Sequence, residues 1–194
     1  EYLPFLKDKF GRFHARESLP YKLGFLEIPV VNHWADDLGK IIHEKYAFIK
    51  PVEKNFRFIP TFDIDIAFGY KYKGFIRSAG AFLNDIYSLE FNRFVKRLKI
   101  ISGLQKDPFD TFGYLDEKIK LHQLDPVFFI LIGEYSRYDK NNSVNNQFFQ
   151  NLLKSLGDNY KTGIHPSFAS NTDFMLLQKE VRRLSGIMHR EITR

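Results

Sequence analysis

Two aspartates one residue apart, Asp63 and Asp65, stand in the run Thr61-Phe62-Asp63-Ile64-Asp65-Ile66, and His165 stands far downstream in Gly163-Ile164-His165-Pro166-Ser167. Residues i and i+2 of an extended strand point to the same side, so both carboxylates can address one ion or one water. Carboxylates set among Phe and Ile in a buried strand are expensive to desolvate unless a metal or hydrogen-bond donors compensate them. His165 closes another strand-like segment, and a strand end bearing an imidazole can converge with one bearing two carboxylates. Carboxylate and neutral imidazole suit zinc or a similar divalent ion, which acidifies a water and polarises an acyl carbonyl. The plainer alternatives are an Asp pair capping loop amides and a packing histidine.

The elements that must position these residues follow from periodicity. The apolar run from Phe56 to Ala67, rich in Phe and Ile, reads as a strand buried on both faces, with the two Asp at its carboxyl end. Gly74 to about Ser102 carries apolar residues at three- and four-residue spacing and reads as a helix broken near Ser88. A shorter helix is expected around Leu115 to His122. Asp125-Pro126 opens a second strand, Val127 to Gly133. The Asn-rich stretch 134–146 reads as an exposed loop before a helix from Gln147 to Leu156. A third strand, Tyr160 to Ser167, leads to Asn171-Thr172-Asp173 and a last helix over about 173–189. Alternating strands and helices predict an α/β fold with a parallel sheet, and strand carboxyl ends are where catalytic side chains collect in such folds. Residues 1 to about 50, with a helix from Val31 to Glu44, read as a lead-in or the tail of a preceding domain, and 51–194 as the α/β domain. His14, His33 and His43 lie in the lead-in without carboxylates at ligand spacing and read as surface or packing residues.

Composition narrows the chemistry. The 194 residues contain no cysteine, which excludes disulfides, thiolate metal sites and a cysteine nucleophile and leaves His, Asp and Glu as the strong metal ligands. The formal charge of +6 is spread along the chain. Its densest cluster, Arg93, Lys96, Arg97 and Lys99, reads as a solvated helix face, so nucleic acid is not expected as a partner. No apolar run is long enough to span a membrane, and no signal-peptide profile is visible. Localisation stays open, the cytoplasm being slightly favoured.

Thr61-Phe62-Asp63-Ile64-Asp65, followed by Gly163-Ile164-His165-Pro166-Ser167-Phe168-Ala169-Ser170-Asn171, resembles the NodB-homology polysaccharide deacetylases, in a divergent bacterial subgroup. The lead-in, Gly11-Arg12-Phe13 through Pro29-Val30-Val31, is similar to the segment preceding the deacetylase domain in that subgroup. The resemblance implies a partial (β/α) barrel with about three βα units, the chain being the N-terminal part of the family's domain and apparently truncated at Arg194. It implies Asp63 as the general base, Asp65 and His165 as metal ligands, zinc or another divalent ion as cofactor, and an acetylated polysaccharide or oligosaccharide as substrate. The departures are Ile64 between the aspartates, which leaves open which is the base, and Ala169 where the family has a second histidine ligand. Ser170 and Asn171 would offer only weak oxygens there, and His189 could substitute only from a basic surface stretch.

A half barrel is expected to leave strand edges and apolar helix faces open, which predicts self-association. Two rival functions stand beside the deacetylase: a non-catalytic carbohydrate-binding or scaffold domain derived from that fold, and a magnesium-dependent phosphoryl-transfer enzyme built on Asp-x-Asp, for which the accompanying small-residue and Lys motifs are not evident.

Overall fold

The computed structural model describes residues 4–50 and 55–193. The expected domain boundary at 50/51 adjoins residues 51–54, which lie outside the described residues, as do the first three residues and Arg194. The chain divides into two compact units, Glu1–Phe56 and Arg57–Arg194.

In the first unit, Asp8 organises a tight turn closed by the bridge between Lys7 and Phe13. Its Oδ1 accepts from the amides of Phe10 and Arg12, and Arg12 Nε donates to its Oδ2 at 2.8 Å. These donors, the Arg12 guanidinium foremost, hold the Asp8 carboxyl down at about 2. Gly11 supplies the positive φ of 78° that lets the chain turn back. A short helix, α1 (Leu19–Lys22), is capped by Ser18, and α2 spans Val30–Lys45. His14 caps the Ala15–Glu17 turn through Nδ1, and His43 Nδ1 lies 2.8 Å from the Ile49 carbonyl.

The second unit is a mixed α/β body around a small parallel sheet. Its strands are β1 (Thr61–Ile64), β2 (Val127–Leu131) and β3 (Lys161–His165), in the order β1-β2-β3. Between β1 and β2 run α3 (Phe75–Tyr87), α4 (Phe91–Ile101) and α5 (Phe112–Leu121), while α6 (Gln147–Asn159) joins β2 to β3 and α7 (Phe174–Met188) follows. The break expected near Ser88 is real: Leu89 adopts a φ of 55° between α3 and α4. The two helices then pack as a hairpin, with the rings of Phe82 and Phe94 5.3 Å apart and Arg97 Nε 2.8 Å from Asp85 Oδ2.

Register decides what each face of the sheet does. Asp63 pairs with Phe129, which pairs with Gly163, and Leu131 pairs with His165. The core cluster takes Ile64, Phe128 and Ile130 from the strands together with Ile119 of α5, Phe149, Leu153 and Leu156 of α6, and Leu184 and Met188 of α7. These strand residues belong to one face. The other face carries Asp63, Phe129, Leu131 and His165. β2 is buried over nearly its whole length, as expected of a central strand. β1 is not: Thr61 and Asp63 are exposed, Phe62 is half-buried and Ile64 is buried. The expectation of a strand buried on both faces is therefore corrected, because the core helices cover only the Phe62–Ile64 side.

The stretch 134–146 also departs from its reading as an exposed loop. Asp139, Asn141 and Asn142 are buried, and their side chains tie together the segments leaving all three strands. Asn142 accepts from the Phe68 amide at 3.0 Å and donates to its carbonyl at 3.3 Å, beyond β1. Asn141 Nδ2 donates to the Gly133 carbonyl after β2, and Asp139 accepts from the Phe168 amide after β3. Asn146 Nδ2 donates to the Tyr72 carbonyl. This girdle satisfies backbone groups that would otherwise be left without partners at the carboxyl end of the sheet.

Candidate functional site

Asp63 lies one residue before the end of β1, Asp65 one residue after it, and His165 is the last residue of β3. β2 lies between them, so the outer side chains meet over Leu131. His165 Nε2 is 3.7 Å from Asp65 Oδ1 and 3.9 Å from Asp63 Oδ2. The three side chains are part-exposed, at 59% for Asp63, 62% for Asp65 and 34% for His165, so solvent and solutes can reach them. The desolvation penalty expected of buried aspartates does not apply at these exposures.

What marks the three is the shortage of donors. Among the described residues, neither carboxylate has a hydrogen bond or ion pair other than the approach of His165. They do not cap loop amides. His165 Nδ1 faces the carbonyl of Pro166 at 3.1 Å, a contact in which Nδ1 donates, and Nε2 is turned toward the aspartates. A ring nitrogen donating to a backbone carbonyl while its partner nitrogen faces acidic groups is the arrangement of many metal-binding histidines. Two carboxylates and one imidazole nitrogen thus approach a common space, an arrangement stabilised by a positive charge there, carried by the ring or by a bound cation.

The geometry is wider than a closed site. Among the described residues no group of three or more His, Cys, Asp or Glu side chains stands ready to hold a metal ion. Ligands on a tetrahedral zinc with bonds of about 2.0–2.1 Å lie about 3.3 Å apart, so each His–Asp pair would have to close by roughly half an ångström, within reach of a side-chain rotation.

The auxiliary positions fall away from this centre. Ala169 begins the one-turn segment Ala169–Asn171, and the buried Ser170 spends its hydroxyl on the Ser167 carbonyl at 3.0 Å. His189 ends α7, beside Met188, whose sulfur contacts Thr162 near the start of β3, the end opposite His165. It cannot join the cluster.

Two features escaped the sequence reading. Glu180 is buried behind the β2 and β3 ends, its Oε2 accepting from the Ser167 amide at 3.3 Å while Oε1 has no hydrogen-bond partner among the described residues. Its signal was present: it precedes the buried Leu184 and Met188 by four and eight residues on one helical stripe. Arg97, read as part of a solvated face, is buried instead and pairs with Asp85.

Comparison with known proteins adds one match. A model described as a family of unknown function, DUF7033, matches residues 1–47. That span lies outside the site. No curated protein and no solved structure gave a match.

Proposed function

We propose that the chain carries the metal-dependent centre of a hydrolase that removes acetyl groups from a polysaccharide, built on part of a (β/α) barrel of the NodB-homology deacetylase kind. The observation that carries this reading is the convergence of Asp63, Asp65 and His165, the two carboxylates having no partner but the imidazole among the described residues. The barrel reading is supported by a parallel sheet whose Ile64, Phe128 and Ile130 pack with residues of α5, α6 and α7, while Asp63 and His165 lie on the opposite face at the strand ends. A doubly wound sheet would carry helices on both faces.

In this reading Asp65 and His165 hold a divalent ion, zinc or similar, which when bound supplies Lewis-acid polarisation of the acyl group and lowers the pKa of water. Asp63 takes the proton from the attacking water, its exposed carboxylate accepting at Oδ. Pro166 fixes the His165 ring through Nδ1 and so keeps Nε2 available. Removing no acetyl group from neutral oligosaccharides would not by itself refute the reading; the decisive experiment combines two readouts. With added zinc, the chain releases acetate from N- or O-acetylated oligosaccharides, Asp63→Asn lowers the rate by about a hundredfold or more, and elemental analysis finds zinc in wild type but not in His165→Ala. Wild type that takes up no zinc and shows no release sensitive to Asp63→Asn ends the proposal.

Ala169, at the place of the family's second histidine, favours a second reading: a carbohydrate-binding scaffold without catalysis. Glycan binding unchanged in Asp63→Asn, with no zinc taken up, would select it.

A further inference from the structure

The segments that follow β1 and β2 form a second concave site at the same end of the sheet. It is a cleft of about 380 Å³ whose wall includes Lys73, Arg77, Arg93, Arg97, Tyr135 and Phe109. The Phe109 ring also lines the groove that runs along Asp63 and Asp65, so one aromatic side chain stands between the acidic centre and the basic cleft. Gly69 makes this close fit workable, since a Cβ there would lie 2.4 Å from the Phe109 ring.

The cleft holds more positive charge than its surroundings neutralise. Arg97 is taken by the buried Asp85, and Arg93 lies 3.6 Å from Asp85 and pairs with Glu90. Asp107 is close by, but its two oxygens already accept from the amides of Gly69, Tyr70, Lys71 and Phe109. That leaves Arg77 and Lys73 without a carboxylate. Arg77 stacks on Tyr135 at 4.0 Å and gives one N–H to the Asn141 carbonyl, and a guanidinium has further N–H groups to offer. Lys73 is half-buried and makes no hydrogen bond or ion pair among the described residues. Burial first, and then the neighbouring charges of Arg77 and Arg97, push its ammonium below the usual lysine value, with Asp107 acting the other way. Charges in that position are stabilised by an anion that bridges them.

We infer that this cleft binds an anionic substituent, a carboxylate, sulfate or phosphate, carried by the sugar chain on which the acidic centre acts. The anion site stands on the cleft itself, and the sugar chain rests on the deacetylase reading. Lys73 and Arg77 contact the anion, and Tyr135, which also has Lys140 4.7 Å from its ring centroid, holds Arg77 in place. The cleft volume falls within the range of small-molecule sites, enough for one sugar unit.

The test is calorimetric titration of the full chain with three probes: oligogalacturonate, the same oligosaccharide with its carboxylates methyl-esterified, and inorganic phosphate. Oligogalacturonate is expected to bind at least tenfold more tightly than either of the others, with affinity falling as salt rises. Lys73→Gln and Arg77→Gln should each weaken it about tenfold, and Arg77→Lys should keep most of it. Equal affinity for the esterified chain overturns the inference, as does binding unaffected by Lys73→Gln and Arg77→Gln. Phosphate binding as tightly as oligogalacturonate overturns the assignment to a sugar chain. Acetate release is not read in this experiment, so its failure and that of the deacetylase reading are separable.

Discussion

Asp107 and the Asp63–Asp65 pair are carboxylates of the same α/β unit, and donors treat them in opposite ways. Asp107 is buried, and four backbone amides turn onto it at 2.8–3.1 Å. Asp85 is likewise buried against Arg97. Asp63 and Asp65 lie exposed at a strand end with only the His165 imidazole in front of them. The first group holds the fold, because each carboxylate satisfies donors that have no other partner. The second adds little to the fold in this arrangement and is left free to hold a ligand or a proton. Burial and donor contacts sort the two groups the same way: Asp85 and Asp107 are buried with donors upon them, Asp63 and Asp65 exposed without.

The comparison can be broken by substitution. The largest effects are expected from the buried acids: Asp85→Ala strands a buried guanidinium and should cost about 3–5 kcal/mol, and Asp107→Ala, which orphans four amides, about 3–4 kcal/mol, both read by urea unfolding. Asp107 also gives the stability a pH dependence. Burial opposes its ionisation, but the amides of Lys71, Tyr70, Phe109 and Gly69 outweigh burial and lower its carboxyl below the ordinary value. A depressed folded pKa means this stabilisation is fully present above the unfolded value of about 3.9 and is lost as pH falls through the lower folded value. The difference in unfolding free energy between wild type and Asp107→Asn should therefore shrink between pH 5 and the acid limit; a constant gap would show that the amides do not depend on the charge.

Next in size is metal addition. Zinc at about a hundred times its dissociation constant should stabilise wild type by about 2.7 kcal/mol, raising its Tm, and leave His165→Ala and Asp65→Asn unmoved. A shift of equal size in all three would place the ion elsewhere. Asn142→Ala, which removes both bonds to Phe68, should cost about 2 kcal/mol. The smallest effect belongs to Asp63→Asn, within about 0.5 kcal/mol of wild type. A loss as large as that of Asp107→Ala would erase the distinction between the two groups.

How much of this was legible in the sequence differs by residue. The unbroken apolar run of β2 announced a central strand, and the i, i+2 spacing of Asp63 and Asp65 placed them on one face. That His165 could reach them needed only parallel order and a matching strand end. Their exposure was not legible, because whether a strand's second face is covered depends on where helices from elsewhere in the chain dock. The girdle was misread for a similar reason. Asn-rich turns resemble solvent-exposed loops, and nothing in the local pattern shows that Asn142 finds its partner at Phe68. The basic cleft was scattered over Lys73, Arg77, Arg93 and Arg97, and only the α3–α4 hairpin gathers them.

The girdle has a bearing on folding kinetics as well as on architecture. Asn142 and Phe68, like Asn146 and Tyr72, are 74 residues apart in the chain, and their bonds, lying beyond the strand ends, are expected to close after β1 and β2 have paired. Contacts of such long sequence separation reward the chain late, after the loop entropy has been met. Weakening them should therefore quicken unfolding while leaving the folding rate almost unchanged. The strand ends that gather the acidic centre would then be the last part of the sheet to set and the first to loosen.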